Sequence, residues 1–302
     1  MKYEAPLEKY PVNIREAVLG KGEKAIKIGG ENTFPFHFFE GSLPDPPGLA
    51  LEVLDIQPEN WSHWVLEPFQ DVVSDPVSWA KKCVDVFGAE ILCLRLLSTD
   101  PMGKDASPKQ AAVIAKKVAD AIDVPLIVWG TGTEEKDSRV LTEVARLCSG
   151  KNLLLGPALK GNYEEIAQIA LEHGHAIVAQ ASMDVNLTKE LNIALCKFFP
   201  PEKIVLDTTS SALGYGLEYT FSIIENVKQI GLINRDNMMQ MPILADFGGE
   251  CWRSKEAKES KEQGILWEAI TGITFLLAGA NLLILRHPDT LKLIKEMISE
   301  KK

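Results

Sequence analysis

The segment LALEVLDI, from Leu49 to Ile56, is an apolar run interrupted only by Glu52 and Asp55. Polar and apolar residues do not alternate in it, and this pattern is typical of parallel strands covered by helices on both faces. Seven further runs of this kind follow along the chain, and each of them predicts a strand. The predicted strands are Leu49–Ile56, Ile91–Leu97, Pro125–Trp129, Asn152–Leu155, Ala176–Ala179, Lys203–Asp207, Pro242–Asp246 and Leu282–Leu285.

The segments between these runs carry helix signals. Ser107-Pro108 offers an N-cap followed by proline at the first helical position. Asn162 precedes Glu165 by three residues, which resembles a capping box, and Gly174 is a natural terminator for the helix that follows. The chain is therefore predicted to alternate strands with helices.

Eight strands alternating with helices favour an α/β fold of the (β/α)8 TIM-barrel type, with residues 49–302 forming the barrel. Residues 1–48 are predicted to form an N-terminal arm and β-hairpin. The rival interpretation is a doubly wound open sheet, because periodicity alone does not distinguish the two. A length of 302 residues would also permit two domains.

The N-terminal extension is predicted to be a hairpin spanning Ala17–Gly41. Gly29-Gly30-Glu31-Asn32 has the composition of a turn and lies between two β-like runs. A hairpin that precedes the first barrel strand would cover the N-terminal face of the barrel, which we call the bottom face.

Composition excludes several classes of function. The chain has 42 acidic and 32 basic residues, a formal net charge of −10, so nucleic acid is a poor candidate partner. The most apolar stretch, Gly264–Ala280, contains Glu268 and is short for a membrane span, so it predicts a buried helix. The N-terminus has no apolar core of a signal peptide.

The cysteines and histidines form no recognisable metal motif. The five cysteines are widely spaced without a CxxC pair, and the five histidines form no HExxH or triad-like motif. Disulfides are therefore not expected, and the predicted location is the cytoplasm. We expect no metal site and no iron–sulfur cluster held by this chain alone.

Candidate binding residues follow the predicted strands, because ligands of α/β barrels bind at the C-terminal ends of the strands, here called the top face. Strand-end polar residues also cap helices, which is the alternative interpretation of each. Three loops are the candidates: Ala181–Asn186, Thr208–Gly216 and Phe247–Trp252. Their candidate residues are Ser182, Asp184, Asn186, Thr208, Ser210, Gly214, Gly216, Gly248, Gly249 and Trp252.

The glycines in these loops have a predicted physical role. Gly214 and Gly216 at the mouth of a helix would let backbone N–H groups approach a polar ligand closely. Gly248-Gly249 before a helix would form an anion-accepting nest, with Trp252 beside it for a planar partner. The alternative for the second pair is a tight turn with a packed tryptophan.

Two charges lie inside predicted strands. Glu52 is in the middle of the first strand and Arg95 is in the middle of the second. A buried charge requires a partner, so we predict that the two side chains are buried and form an ion pair.

Three segments together resemble one protein family. They are KIGGENTFPFHFFEG (27–41), LGYGLEYTFSIIENVK (213–228) and PILADFGGECWRSKEAKE (242–259). They resemble the small subunit of the corrinoid iron–sulfur protein, a family also described as the delta subunit of the acetyl-CoA decarbonylase/synthase complex. The similarity extends from about Ala17 to the C-terminus.

The resemblance implies a (β/α)8 barrel that pairs with a large subunit, which carries the iron–sulfur cluster and a cobalamin domain. In the reductive acetyl-CoA pathway of anaerobes, that heterodimer receives a methyl group from methyltetrahydropterin through a methyltransferase. It passes the methyl group, bound to cobalt, to acetyl-CoA synthase. This chain would help to enclose the cobalamin without supplying a catalytic residue, and no set of catalytic side chains carries over from the family.

The alternative function is a free-standing TIM-barrel methyltransferase that depends on a pterin. Such enzymes share the barrel and use Asp and Asn at the ends of strands. The two hypotheses differ in what the isolated chain binds: the enzyme binds methyltetrahydropterin, and the subunit binds a large iron–sulfur partner.

Overall fold

The computed structural model describes residues 6–299. Residues 1–5 of the predicted N-terminal arm and residues 300–302 of the predicted barrel domain lie outside the described residues. The first two strands, β1 (Ala17–Leu19) and β2 (Ile26–Ile28), form the antiparallel hairpin, with Ala17 opposite Ile28. The predicted hairpin is therefore present.

The position of its turn was predicted wrongly. The chain reverses through a 3-10 helix at Gly22–Lys24, and Gly20 and Gly22 supply the positive φ angles of 72° and 71° that the reversal requires. The Phe-rich run beyond Gly29–Asn32 forms a second 3-10 helix, Pro35–Glu40, and not a strand. Gly29 serves a close approach, because a Cβ there would collide with the carbonyl oxygen of Arg15.

The eight predicted strands all form, and they close into one parallel barrel in chain order, with the last strand pairing with the first. The fold is a TIM barrel, as predicted, and the open sheet is excluded. The fourth barrel strand begins two residues later than predicted. The barrel strands are β3 (Gly48–Leu54), β4 (Ile91–Arg95), β5 (Leu126–Trp129), β6 (Leu154–Ala158), β7 (Ala176–Gln180), β8 (Ile204–Asp207), β9 (Ile243–Asp246) and β10 (Leu282–Leu285).

Helices cover the outside of the barrel. They are α1 (His63–Leu66), α2 (Pro76–Asp85), α3 (Pro108–Ala121), α4 (Glu134–Leu147), α5 (Tyr163–His173), α6 (Val185–Leu195), α7 (Leu217–Leu232), α8 (Gly248–Arg253), α9 (Lys261–Ala278) and α10 (Pro288–Ser299). No helix of residues 6–299 is long and apolar enough to cross a membrane.

Two of the predicted helix signals are confirmed and one is wrong. Ser107 caps α3 in a capping box with Gln110, and Gly174 ends α5 in the left-handed conformation with φ 77°. Asn162 precedes α5 but its side chain does not cap it. The Asn162 side chain instead accepts from the backbone N–H of Leu159 and donates to the carbonyl of Glu134, so these contacts outside the helix replace the capping bond.

The hairpin closes the bottom face of the barrel, as predicted. Ala17, Leu19 and Ile28 are buried in one apolar cluster with the first interior residues of the barrel strands, among them Ile91 and Leu282. The bottom end of the barrel is therefore filled by side chains from the N-terminal extension.

Candidate functional site

The top interior layer of the barrel is polar. Alternate residues of a strand point to the same face. Five of the buried residues that point into the barrel interior are Ala50, Cys93, Val205, Leu244 and Ile284, each on a different strand. The next interior position on each of these strands, two residues later, carries a charge. Those five positions are Glu52, Arg95, Asp207, Asp246 and Arg286.

Glu52 is the centre of an ion-pair network in this layer. It is 1% exposed, accepts a hydrogen bond from Arg286 Nε and forms an ion pair with the guanidinium of Arg95. Arg95, which is 14% exposed at its side chain, also binds Asp246. The predicted Glu52–Arg95 pair is therefore confirmed. The parts that Asp246 and Arg286 play in the network were not predicted.

The network fixes the ionisation of Glu52. Burial by itself raises the pKa of the Glu52 carboxyl, but Arg286 and Arg95 outweigh burial and hold that pKa below its ordinary value. Two indole rings complete the layer: Arg286 lies 4.6 Å from the centroid of Trp61, and Arg95 lies 5.4 Å from that of Trp129. Both guanidiniums thus contact carboxylates and aromatic rings, and side chains fill the mouth of the barrel.

Asp207 is a second buried carboxyl of this layer. It is 1% exposed, accepts from Gln180 Nε2 at 2.6 Å and accepts from the backbone N–H of Thr209 at 2.8 Å. Burial, with repulsion from Asp246 as a smaller cause, raises the pKa of Asp207 to about 7. Asp207 therefore changes charge near neutral pH.

The first candidate loop begins helix α6. Asp184 is the N-cap of α6 and accepts from the backbone N–H groups of Asn186, at 2.7 Å, and Leu187, at 3.0 Å. The side chains of Ser182 and Asn186 are exposed on the top face. Asp184 thus has the structural role that the alternative interpretation gave it, and Ser182 and Asn186 are accessible to a ligand.

The second candidate loop is held from beneath by α9 and α7. Trp267 Nε1 donates to the carbonyl of Leu213 at 3.0 Å, and Ser211 N donates to Thr220 Oγ1 at 2.9 Å. Gly216 is the N-cap of α7 with φ 105°, which confirms its predicted position at the mouth of a helix. These anchors hold the loop in one conformation at the rim.

The candidate residues of this loop differ in accessibility. Gly214 is exposed, Ser210 and Gly216 are half-buried, and Thr208 is 1% exposed. The carbonyl of Thr208 accepts from the N–H of Met183 and so ties the first loop to the second. Thr208 therefore positions the two loops and is not accessible as a contact residue.

The third candidate loop packs against α9. Trp252 is 2% exposed and its indole N–H donates to Glu268 Oε2 at 2.9 Å. The interpretation of Trp252 as a ligand contact is therefore wrong for this structure, and the packed-tryptophan alternative describes its position. The buried carboxylate of Glu268 requires donors, and sequence reasoning did not identify this partner.

Gly248 and Gly249 are required for packing against the charged layer. A Cβ at Gly248 would lie 3.0 Å from Glu268 Oε1, and one at Gly249 would lie 3.0 Å from Arg286 Nη2. Glu268 also accepts the backbone N–H of Arg286 at 2.6 Å, so it joins this loop to the end of β10. Close packing explains both glycines without an anion.

Potential metal ligands are dispersed in the described structure. Residues 6–299 contain no group of three or more His, Cys, Asp or Glu side chains placed to hold a metal ion. All five cysteines are free thiols, and all except Cys196 are buried.

Comparison with known proteins identifies the family. A family described as CO dehydrogenase/acetyl-CoA synthase delta subunit matches residues 16–301. The acetyl-CoA decarbonylase/synthase complex subunit delta of Methanocaldococcus jannaschii is 35% identical over 311 residues, which cover 98% of this chain and 76% of the relative. The subunit of the same name from Methanothermobacter thermautotrophicus is 35% identical over 306 residues, 98% of this chain and 78% of the relative.

Solved structures of dihydropteroate synthase share the barrel. One, in complex with a product, has a TM-score of 0.60 and 13% identity over 90% of this chain and 99% of the other. The 7,8-dihydropteroate synthase of Vibrio fischeri has a TM-score of 0.60 and 14% identity over 90% of this chain and 97% of the other. At this identity the likeness shows the fold alone. The sequence matches decide the relationship, and they confirm the predicted resemblance: the chain belongs to the delta subunit family of CO dehydrogenase/acetyl-CoA synthase.

Proposed function

We propose that this chain is the small subunit of a heterodimeric corrinoid iron–sulfur protein within the acetyl-CoA decarbonylase/synthase complex, in the cytoplasm. Its barrel pairs with a large subunit that carries the iron–sulfur cluster and the cobalamin. The heterodimer transfers a methyl group from methyltetrahydropterin, supplied through a methyltransferase, to acetyl-CoA synthase. The role of this chain is to bind and enclose the corrinoid from one side.

The observation that carries this proposal is the chemistry of the top face. Within residues 6–299, the hydroxyls of Ser182, Thr209 and Ser210 make no hydrogen bond to another protein group, although all three are accessible. The side chains of a corrin are amides, which require hydroxyl, amide and backbone N–H partners more than charges. The residues present on the rim therefore fit the group.

Apolar residues beside these hydroxyls fit the apolar parts of the corrin ring. Met183 and Leu187, in and after the first loop, are 39% and 41% exposed, and Met102 in the loop after β4 is 97% exposed. Flexible methionine side chains adapt to irregular apolar surfaces. A broad rim of hydroxyls and methionines suits a ligand that lies across the barrel mouth.

The filled barrel mouth argues against the methyltransferase alternative. Glu52 and Asp246 engage Arg95, and both carboxylate oxygens of Asp207 already accept protein N–H groups. A pterin bound inside the barrel would have to displace these interactions, and each buried group left without a partner costs about 1–3 kcal/mol.

The test is assembly with the large subunit followed by an ultraviolet–visible spectrum for bound corrinoid. We expect the heterodimer to retain corrinoid, and Ser210→Trp to reduce the retained amount or shift the cobalt redox couple. Ser149→Trp is the control, because Ser149 is an accessible serine on the opposite, bottom face of the barrel. If the isolated chain binds methyltetrahydropterin and transfers its methyl group, the methyltransferase alternative is established instead.

A further inference from the structure

Gln180 is a neutral polar member of the top interior layer. Val178, two residues earlier on β7, is buried in the barrel interior, so Gln180 takes the next interior position on that strand. Gln180 lies opposite Asp207 where β7 pairs with β8. Because the first candidate loop follows β7 and the second follows β8, the Gln180 side chain lies at the barrel mouth between those two loops.

One half of the Gln180 amide is used within the chain and the other half is not. The Nε2 atom donates to Asp207 Oδ2 at 2.6 Å. Within residues 6–299 the Oε1 atom accepts no hydrogen bond, although Gln180 is half-buried and solvent reaches this oxygen. An amide oxygen can accept two hydrogen bonds. A ligand that covers the top face would therefore meet a free acceptor here.

Asp207 is fixed from its other side. Its Oδ1 atom accepts from the backbone N–H of Thr209 at 2.8 Å, and its backbone carbonyl accepts from the N–H of Ala181 at 3.0 Å. Thr209 has a φ of 60°, a left-handed conformation that β-branched residues rarely adopt, and the bond to Asp207 helps to hold it there. Since a backbone N–H can only donate, Oδ1 stays an acceptor, and a proton taken up by Asp207 binds Oδ2.

A proton on Oδ2 would reverse the Gln180 amide. A protonated Oδ2 donates, and the amide NH2 group also donates, so the two cannot face each other at 2.6 Å. Rotation of the amide by half a turn places Oε1 against the Asp207 hydroxyl and turns Nε2 outward. The Gln180 atom offered to a ligand then changes from an acceptor to a donor.

The surroundings of Asp207 bring this proton exchange close to neutral pH. Burial, with repulsion from Asp246 on β9, raises the pKa of Asp207 to about 7, and the charge of Arg95 on β4 opposes the rise. The other charges of the layer, Glu52 and Arg286, pair with each other, and β7 carries no titratable residue. Both orientations of the Gln180 amide are therefore populated near pH 7.

We propose that Gln180 is a ligand-contacting residue of the top face that accepts a hydrogen bond from an amide N–H of the corrinoid, and that Asp207 sets which atom of the Gln180 amide the ligand meets. Asp207 is thus a positioning residue, because it acts through Gln180. The identity of the ligand rests on the proposed function. Binding of the corrinoid is then coupled to release of a proton from Asp207.

The test is the dissociation constant of the assembled heterodimer for cobalamin, measured by absorbance at pH 8 and pH 6 after the bound corrinoid is removed. The fraction with ionised Asp207 falls from about nine-tenths to about one-tenth over this range, so the wild-type constant should rise by up to about tenfold, and at least about threefold. In Asp207→Asn, Nδ2 donates to Gln180 Oε1 and fixes the reversed amide. This variant should bind weakly at both pH values. Groups on the large subunit titrate in both proteins, so the difference between the profiles isolates Asp207.

A second variant separates the role of Gln180 from that of Asp207. Gln180→Met keeps the length of the side chain and removes the amide, while Asp207 can still ionise. We expect weaker cobalamin binding at pH 8 and the loss of the wild-type rise between pH 8 and pH 6. A Gln180→Met heterodimer that keeps the wild-type profile would show that Asp207 acts by another route, and it would overturn the inference.

Infrared difference spectra of the isolated chain test the Asp207 step without corrinoid, because they separate a protonated carboxyl from a carboxylate. One carboxyl should titrate near pH 7 in the wild-type chain and be missing in Asp207→Asn. An identical titration in the two chains would show that Asp207 does not exchange a proton in this range, and the inference would fail.

The outcomes keep this inference distinct from the proposed function. If the wild-type heterodimer binds no cobalamin at either pH, the proposed function fails and the inference falls with it, whatever the infrared spectra show. If it binds and its profile runs parallel to that of Asp207→Asn, the inference fails while the proposed function stands. Tighter wild-type binding at pH 6 than at pH 8 would mean that the ligand meets Nε2, and it would overturn the acceptor role of Gln180.

Discussion

The two ends of the barrel contain buried charges in different arrangements. At the top, Glu52, Arg95, Asp246 and Arg286 form a branched network beside open loops. At the bottom, Lys228 pairs with Glu31 and also donates to Asn281 Oδ1 at 2.7 Å, beneath the N-terminal extension. Lys228 is 2% exposed, and burial lowers its pKa against the opposing effect of Glu31.

The difference separates stability from binding. The bottom pair joins the segment after the hairpin to α7 and the start of β10, so its polar groups are used within the chain. The top loops still offer hydroxyls to a ligand. In barrels of this type the N-terminal end of the strands stabilises the fold and the C-terminal end carries function.

Removal of Glu52 should have the largest effect on stability. In Glu52→Ala, Arg286 loses its carboxylate partner and Arg95 retains only Asp246, so two guanidiniums remain close together in a buried layer. We expect a loss of about 4 kcal/mol in the free energy of unfolding, measured in urea. Glu52→Gln, which keeps an acceptor, should lose less. A loss below about 1 kcal/mol for Glu52→Ala would show that the network contributes no more than a surface ion pair.

Neutral side chains should partly replace the buried Lys228–Glu31 ion pair. Lys228→Met leaves Glu31 buried with only Asn281 as a donor, at 2.9 Å, and should lower the free energy of unfolding by about 3 kcal/mol. The double variant Lys228→Met with Glu31→Gln should recover at least half of that loss, since a neutral amide needs only hydrogen bonds. A double variant no more stable than Lys228→Met would contradict a purely structural role for the pair.

Asp207 should make stability depend on pH. Its pKa is about 7 in the folded chain and about 3.9 when unfolded, so the folded state binds more protons between these values. The stabilisation from the protonated carboxyl is complete below about pH 4 and is lost as pH rises through 7. The loss between pH 5 and pH 7 should be about 2 kcal/mol.

The matched control for this measurement is Asp207→Asn, which resembles the protonated carboxyl and should lack the loss. Burial lowers the pKa values of His175 and His287 to about 4, and these groups add stability as pH rises from about 4 to 6.5. Because both histidines are present in both proteins, the difference between the two profiles isolates Asp207. Parallel profiles would refute the raised pKa.

A substitution on the side of the barrel should have the smallest effect. Ser107→Ala removes the cap of α3, including the bond from the backbone N–H of Gln110, and should cost about 1 kcal/mol in urea unfolding. Its effect should add to that of Lys228→Met, because the two sites share no contact. Strong non-additivity would mean that the bottom pair is coupled to the barrel wall.

The sequence predicted the barrel and part of its charged layer because both depend on local pattern. Apolar runs of strand length separated by capped helices recur eight times, and the charges of Glu52 and Arg95 stand out within two of the runs. The full layer also has a sequence signal: in five strands, the residue two positions after the buried interior residue is charged. The turn of the hairpin was placed wrongly, since Gly29-Gly30 has turn composition but Gly29 serves a close approach to Arg15.

The amino-acid sequence alone indicated the alternation of strands and helices, the family and the wide spacing of the cysteines. These follow from residue type and order, which require no knowledge of distant contacts. Tertiary contacts were needed to show that Arg286 joins Glu52, that Trp252 on α8 binds Glu268 on α9, and that Glu31 pairs with Lys228. Each of these pairs joins distant parts of the chain, except Trp252 and Glu268 on successive helices. Their partners are chosen by barrel closure and helix packing, which local sequence pattern does not encode.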